Sequence, residues 1–191
     1  MPNWCNNTIT ISGQTETIKN LWESATAEDG GLLSAMAPQP EDLFHGNLGE
    51  KERAECAEKG IPNWYDWQVS NWGTKWDVDT EGLEFTDNGD GTAEITGWFD
   101  SAWAPPIVAL AEYLDNNSDV SIRLVYYEPG CDFMGVWEDG DDRCYSCSDD
   151  APTSDSKFWE TEDGKLIDDY MGCVERLVEY EAEQEEEANA K

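Results

Sequence analysis

The stretch LEFTDNGDGTAEITGWF, residues 83–99, indicates the fold class of this chain. Two short runs typical of β-strands flank the dipeptides Asn88-Gly89 and Asp90-Gly91. Asparagine, aspartate and glycine tolerate the positive φ that a tight turn between two strands requires. The stretch is therefore predicted to form a β-hairpin.

The segments on either side of this hairpin complete a mixed pattern of strands and helices. NNTITISG, residues 6–13, predicts a strand with one buried face, and helical spacing of apolar residues predicts a helix over 15–27. Pro105-Pro106 begins a second helix, and residues 119–130 form a further strand. This order predicts an α+β fold, a ferredoxin-like antiparallel sheet with helices on one face.

Two segments fall outside this pattern. Residues about 29–75 are predicted to be an insertion after the first helix, with a helical piece around residues 49–60. Residues 141–191 are predicted to be an acidic extension of hairpin and C-terminal helix. The chain is accordingly divided into a ferredoxin-like domain, residues 1–140, and this extension.

The acidic extension has its own local pattern. VWEDGDDRCYS, residues 136–146, and FWETEDGKL, residues 158–166, both resemble hairpins. A terminal helix is predicted over residues 166–188, with apolar residues able to dock on the body only in its first half. The glutamate-rich end of that helix is expected to project into water.

The charge of the chain limits its partners. Forty-three acidic and 11 basic residues give a net charge of -32. Direct binding to nucleic acid or to an anionic membrane needs a basic surface, so neither is predicted. The 10 tryptophans can supply a core that offsets the charge repulsion. A basic protein is the natural partner, although a halophilic origin would give the same composition.

The composition also predicts the cellular location of the protein and the state of its cysteines. The chain has no apolar run long enough for a membrane span and no pattern of a secretion signal at its start, so a cytosolic protein is expected. In such a protein the 6 unevenly spaced cysteines are predicted to be free thiols. The oligomeric state is not predicted.

Rigidly held carboxylates are the first candidate site. At close spacing they present a field like that of nucleic-acid phosphates and compete for a basic groove. The candidate partner-binding residues lie in the 136–146 hairpin and in the terminal helix, and they are Asp139, Asp141, Asp142, Glu179, Glu181, Glu183, Glu185, Glu186 and Glu187.

The segment NWYDWQVSNWGTKWDV, residues 63–78, is the second candidate site. Its tryptophans suit a wedge between loop and strand that seals the sheet, with each indole N–H bonded to a backbone acceptor. Alternatively, exposed aromatic rings beside a carboxylate suit a cationic or stacking ligand. The residues of that possible aromatic site are Trp64, Tyr65, Asp66, Trp67 and Lys75.

Enzymatic and metal chemistry have weaker support. The single histidine, His45, lies in a loop-like stretch without an accompanying catalytic motif, so no catalytic residue and no cofactor is predicted. Cys144 and Cys147 have the C-x-x-C spacing of a metal or redox site, but no second pair completes a closed zinc site. A metal at these two cysteines is kept only as a weak alternative.

Four motifs carry a resemblance to a known family. They are MPNWCNN at residues 1–7, the tryptophan segment at 63–78, WFDSAWAPP at 98–106 and YYEPGCDFMGVWEDG at 126–140. Together they resemble the YubB-like family of phage- and plasmid-borne proteins with a ferredoxin-like domain. The resemblance covers residues 1–140 and implies that fold and a mobile-element setting, but no reaction and no catalytic residues.

The leading hypothesis is a non-enzymatic phage or mobile-element accessory protein. It would bind a basic host protein and inhibit a nucleic-acid-processing or defence complex, such as a CRISPR or restriction system, by nucleic-acid mimicry. One alternative is a small-molecule-binding or catalytic domain with a pocket at residues 63–78. Another is a structural protein of a phage particle.

Overall fold

The computed structural model describes residues 3–189. The strands are β1 Trp4–Gln14, β2 Leu83–Asp87, β3 Thr92–Ala102, β4 Ser121–Glu128, β5 Phe133–Glu138 and β6 Asp141–Tyr145. The helices are α1 Thr15–Ala25, α2 Leu32–Met36, α3 Glu50–Lys59, α4 Trp64–Trp72, α5 Ile107–Asn116, α6 Cys147–Asp150, α7 Glu162–Met171 and α8 Cys173–Asn189.

One antiparallel sheet of six strands organises the chain, in the order β2-β3-β1-β4-β5-β6. The α+β class is confirmed. Strand β1 lies between β3 and β4, where Ile9 pairs with Gly97 on one side and Leu124 on the other. Because β1 alternates, Ile9 and Ile11 are buried while Thr8 and Thr10 point to the opposite face.

The predicted hairpin joins β2 to β3 as expected. The backbone N–H of Asn88 donates to the carbonyl of Thr92 at 3.0 Å, and the Asp90 carboxylate accepts from the Thr92 N–H at 3.0 Å. Gly89 has a φ of 76° and so adopts the left-handed conformation that the turn requires. Residues close together in sequence therefore determine this element.

The main core lies between the sheet and helices α1, α2 and α5. Ile18 and Leu21 of α1, Leu33 of α2 and Leu110 of α5 pack there against the inward residues of β1, β3 and β4. Helices α2 to α4 fall within the segment predicted as an insertion, residues about 29–75, and α3 matches its predicted helical piece. The insertion therefore contributes to the core.

Helices α1 and α5 lie on one face of the sheet, as predicted, but the acidic extension places a further helix on the other face. Helix α7 packs on the opposite face, over β4 and β5. Its Ile167 contacts a second buried cluster that includes Val125, Met134 and Val136. These three side chains alternate with the inward ones, so β4 and β5 are apolar on both faces and require a cover on each.

Two elements of the acidic extension differ from the prediction. The stretch predicted as a hairpin at residues 158–166 contains a 3₁₀ turn and the start of α7, because Thr161 caps that helix by accepting from the Gly164 N–H at 3.0 Å. The predicted terminal helix is interrupted at Gly172, whose φ is 62°. The Asp168 carboxylate accepts from the Val174 N–H at 2.7 Å and so caps the start of α8.

The tryptophan segment also differs, since it begins as helix α4 rather than as a junction of loop and strand. Asn63 caps this helix by accepting from the Asp66 N–H at 3.0 Å. Gly73, with a φ of 84°, ends it. The nine residues between these caps lack the alternation of apolar and polar side chains that is typical of a strand, so the caps favour a helix.

The hairpin predicted at residues 136–146 forms from β5 and β6, with its turn at Asp139-Gly140. The predicted domain boundary at residue 140 falls at this turn, and β6 adds to the same sheet as β1 to β5. Within residues 3–189, no helix combines the length and the apolar composition needed to cross a membrane.

An ion pair attaches α7 to β6. Asp163 accepts from Arg143 Nε at 2.9 Å, from Arg143 Nη2 at 3.2 Å and from the Tyr145 hydroxyl at 2.7 Å. Burial alone would raise the pKa of Asp163, but these hydrogen bonds outweigh it and the pKa lies below its ordinary value of 3.8. The charged form of Asp163 is therefore the one that the folded state stabilises.

We expect Asp163→Asn to lower the free energy of unfolding by about 2 kcal/mol near neutral pH. A group whose pKa is depressed on folding contributes stability above its unfolded pKa and loses it as the pH falls through the folded value. The difference from the parent should therefore stay constant from about pH 7 to about pH 5 and shrink as the pH falls below about 4 in urea titrations. Asp141→Asn is the control, because Asp141 pairs with the same arginine at 2.9 Å but is largely exposed. Equal losses in both variants would contradict this assignment.

Candidate functional site

The three candidate carboxylates of the β5–β6 hairpin all have internal partners. Asp139 accepts from the Ile122 N–H at 2.7 Å and from the Ser121 hydroxyl at 2.9 Å. Asp142 accepts from the Tyr126 hydroxyl at 2.7 Å, and Asp141 pairs with Arg143 at 2.9 Å. These contacts give Asp139 and Asp142 a structural role, which reduces their availability to a partner.

The candidate glutamates of α8 fall into two groups. Glu181 accepts from the Ser154 N–H at 2.8 Å and from its hydroxyl at 2.6 Å, so it attaches α8 to the loop before α7. The other five are exposed, and within residues 3–189 their carboxylates form no hydrogen bond and no ion pair: Glu179, Glu183, Glu185, Glu186 and Glu187. From Ala182 onward every described residue of α8 is exposed, so this end of the helix presents free negative charge.

In the aromatic segment, Trp64 and Trp67 serve the framework. The Trp64 indole N–H donates to the Gly46 carbonyl at 3.1 Å, and the Trp67 ring meets Trp72 edge-on at 5.7 Å. Trp72 is buried and donates to the Ala37 carbonyl at 2.9 Å. Trp64 and Trp72, two of the four tryptophans in the segment, therefore form the expected indole hydrogen bonds to backbone acceptors.

The structure brings Tyr65 and Lys75 together, with Lys75 itself in the position of a cationic ligand. Its Nζ lies 5.9 Å from the Tyr65 ring, 4.3 Å from Trp76 and 5.1 Å from Trp103. Arg53 also lies over the Tyr65 ring, at 5.1 Å from its centre. An external cation would have to displace these two side chains.

Asp66 is also engaged within the chain. Its Oδ2 accepts from Asn63 Nδ2 at 2.8 Å and its Oδ1 pairs with Arg53 Nη1 at 2.8 Å. Hydrogen bonds from Asn63 and then Arg53 hold the pKa of Asp66 below its ordinary value. The proposed polar group of an aromatic pocket is therefore used to hold α3 beside α4.

A groove that the sequence did not reveal lies between the outer residues of β3 and the loop that precedes β2. It has a volume of about 460 Å³. Its apolar walls are Trp98, which is 62% exposed, and Trp4, which is 48% exposed. The remaining lining residues are Asp77, Asp79, Glu81, Gly82, Phe99 and Asp100. We call it the Trp4–Trp98 groove.

The carboxylates of the Trp4–Trp98 groove differ in how they are used. Asp77 caps α2 by accepting from the Leu33 N–H at 2.8 Å and the Ser34 N–H at 3.0 Å. Asp79 accepts only from the Glu81 N–H at 2.8 Å, and Asp100 from Asn6 Nδ2 at 2.7 Å. Within the described part of the chain, Asp79, Glu81 and Asp100 pair with no cation.

The alternation of β3 carried a signal for Trp98. Ile95 and Phe99 point into the core. Because successive side chains of a strand point to opposite faces, Trp98 lies on the outer face. The acidic residues of the groove had no such signal. Asp79 and Glu81 belong to the loop before β2, and only the sheet pairing of β1 with β3 brings Trp4 and Asp100 near them.

The cysteine pair lies on β6 and α6. Cys144 is exposed and Cys147 is half-buried, lining a different cavity of about 550 Å³ between α6 and α8. Burial raises the pKa of the Cys147 thiol to about 11. Among residues 3–189, no group of three or more histidine, cysteine or carboxylate side chains is arranged to hold a metal ion.

No family model matches the chain, and no curated protein shows significant sequence similarity to it. Among solved structures, the chain is similar to the crystal structure of a protein api92 from Yersinia pseudotuberculosis, described under the family model DUF1281. The two share 12% identity with a TM-score of 0.45, over 76% of this chain and 98% of that one. That description states no ligand, activity or partner.

Proposed function

We propose that the protein is a non-enzymatic binding protein that engages a basic partner protein through its acidic surface. The observation that carries this proposal is the end of α8, which presents five glutamates without a cationic partner in the described residues. Most of the chain's negative charge cannot be neutralised internally, since 43 acidic residues face 11 basic ones. A basic surface would gain long-range attraction to this chain before contact.

The spacing of the α8 glutamates supports nucleic-acid mimicry. From Glu179 to Glu187 the helix axis advances about 12 Å, so the average separation of the five free carboxylates along it is about 3 Å. A single nucleic-acid strand carries one charge per about 3.4 Å. A groove that binds a nucleic-acid strand would therefore meet a similar linear charge density on α8.

The class of partner follows from this chemistry and from the resemblance to mobile-element proteins. We propose a host nucleic-acid-binding protein in the cytosol, in a nucleic-acid-processing or defence complex such as a CRISPR or restriction system. Occupation of its basic groove would inhibit it. We also propose that β1, α1, β2, β3, α5 and β4 form a ferredoxin-like unit, which their lateral order β2-β3-β1-β4 supports.

The test is capture of proteins from a host-cell extract by three purified forms of the chain. The first form is the parent, and the second carries glutamine at Glu179, Glu183, Glu185, Glu186 and Glu187. The third is a matched control that loses the same charge at exposed residues without hydrogen bonds or ion pairs in the described chain: Glu28→Gln, Asp29→Asn, Glu41→Gln, Asp42→Asn and Glu58→Gln.

We expect the parent to retain a nucleic-acid-binding protein at about 0.1 M salt and to lose it at about 0.5 M. A duplex of about 30 base pairs should compete for it. With the purified partner, the α8 variant should bind at least about tenfold more weakly than the matched control. Failure of the duplex to compete, or an α8 variant that binds as tightly as the control, would overturn the proposal.

A further inference from the structure

We propose that the Trp4–Trp98 groove binds an arginine side chain from a basic protein segment. This inference rests on the proposed function, because it assigns part of the partner contact to a second surface besides α8. Helix α7 covers β4 and β5, and its end borders only a neighbouring cavity that shares Trp98, Phe99 and Asp100 with the groove, while Trp98 itself stays 62% exposed. A chain segment can therefore reach it from solvent.

The backbone holds the main wall of the groove in place. The Trp98 N–H donates to the Gly82 carbonyl at 3.0 Å. A Cβ at Gly82 would lie 3.1 Å from Trp98 Cε2 and 3.2 Å from its Cδ2, so glycine allows the indole to lie directly against this loop. The Trp98 ring is exposed but held against this loop, so its side chain loses little conformational entropy when a ligand stacks on it.

The chain itself shows how this aromatic cluster takes a cation. Trp4 lies 5.9 Å from Trp76, and Trp76 forms a cage for Lys75 with Trp103. In that cage the cation comes from the chain. Trp4 connects this cage to the Trp4–Trp98 groove, because it lines the groove and contacts Trp76. No lysine or arginine of the described chain lines the groove itself. Arg176 lines only the neighbouring cavity and lies over the Tyr127 ring at 5.1 Å, so a cation for this groove comes from a partner.

Charge complementarity indicates what the partner presents. Asp79, Glu81 and Asp100 surround the two indoles and have no internal cation in the described residues. A guanidinium group is planar, so it can stack on an indole and donate to two carboxylates at once, whereas an ammonium group offers one compact charge. An anionic ligand such as nucleic acid would be repelled. The groove therefore fits arginine better than lysine.

The experiment measures binding of a hexaarginine peptide and a hexalysine peptide by calorimetry, at about 0.3 M salt to weaken general charge attraction. The indole N–H signals in NMR spectra report which tryptophans are contacted. Hexaarginine should bind more tightly than hexalysine and should shift the signals of Trp98 and Trp4 first. Equal affinity of the two peptides would overturn the inference.

Two groove variants and one control complete the design. Trp98→Ala, and separately Asp79→Asn with Glu81→Gln, should each weaken hexaarginine binding about tenfold. The control, Asp42→Asn with Glu58→Gln, removes the same charge from exposed residues outside both the groove and α8 and should change the affinity less than about twofold. Circular dichroism and thermal unfolding check that each variant is folded. Similar losses in the groove and control pairs would overturn the inference, since they would indicate attraction by overall charge alone.

The outcomes for the groove and for the proposed function are separable. If a basic partner is captured and released by duplex but Trp98→Ala binds it as well as the parent, the groove assignment fails and the proposed function stands. If hexaarginine contacts Trp98 but no nucleic-acid-binding protein is captured, the proposed function fails and the arginine site stands.

Discussion

Replacing Trp72 with alanine should lower the free energy of unfolding by about 4 kcal/mol. Trp72 is 1% exposed and packs in the main core against α2 and α5. Its removal leaves a large cavity, because close-packed neighbours relax only in part. It also leaves the Ala37 carbonyl, which accepts from the indole at 2.9 Å, without its donor. Urea denaturation followed by far-ultraviolet circular dichroism measures the loss.

The same substitution at Trp98 is the control for this prediction. Trp98 is 62% exposed, so its truncation should change the free energy of unfolding by less than about 1 kcal/mol. The comparison shows how much of the stability loss comes from the burial of the indole rather than from the loss of a tryptophan as such. A loss at Trp98 as large as that at Trp72 would show that the outer face of β3 is covered and would contradict the open groove.

Gly97→Ala should destabilise the fold by about 3 kcal/mol or more. Two costs combine at this position. Gly97 has a φ of 143°, a conformation that residues with a Cβ rarely adopt. An added Cβ would also collide with the Gly82 carbonyl and lie 2.9 Å from the Leu83 Cα, and these are backbone atoms that cannot rotate away.

Gly89→Ala provides the matched control for Gly97→Ala. Gly89 also has a positive φ, 76°, but no atom lies within 4 Å of the Cβ that alanine would add. Its cost should therefore be conformational alone, about 1 kcal/mol. Equal losses at both glycines would mean that the close approach of β2 and β3 contributes nothing. Because Gly97 precedes Trp98, we also expect Gly97→Ala to weaken hexaarginine binding.

The elements predicted correctly have signals within a few residues of one another. The turn between β2 and β3 follows from Asn88-Gly89 and Asp90-Gly91, whose side chains and backbones close it without help from elsewhere. Strand β1 follows from the alternation of threonine and isoleucine. Helix α5 begins directly after Pro105-Pro106, since proline suits the first turn of a helix.

The errors arose where local signals compete. Tryptophan and asparagine favour strand and turn, yet the caps at Asn63 and Gly73 make α4 a helix that seats Trp72 in the core. The charged residues around Gly172 gave no indication of a break in the terminal helix. There the left-handed glycine ends α7, and the Asp168 carboxylate caps the start of α8.

The sequence predicted the negative charge of the candidate site but not which carboxylates are available to a partner. Composition alone showed that a large excess of carboxylates had to remain unpaired. It could not show that Asp139 and Asp142 bond to backbone and tyrosine partners, or that Asp66 pairs with Arg53. The sequence does not distinguish one carboxylate from the next, because the bonding partners of each depend on its neighbours in space.

The amino-acid sequence by itself determined the strands, the hairpin, the amphipathic helices and the negative charge. Each depends on composition or on residues within a few positions of one another. Only the tertiary structure decided that Lys75 occupies the aromatic cage, that α7 covers β4 and β5 on the second face of the sheet, and that Trp98 stays exposed beside three carboxylates without a cation partner in the described residues. The physical reason is that burial and ion pairing depend on neighbours in space, and here those neighbours come from distant parts of the chain.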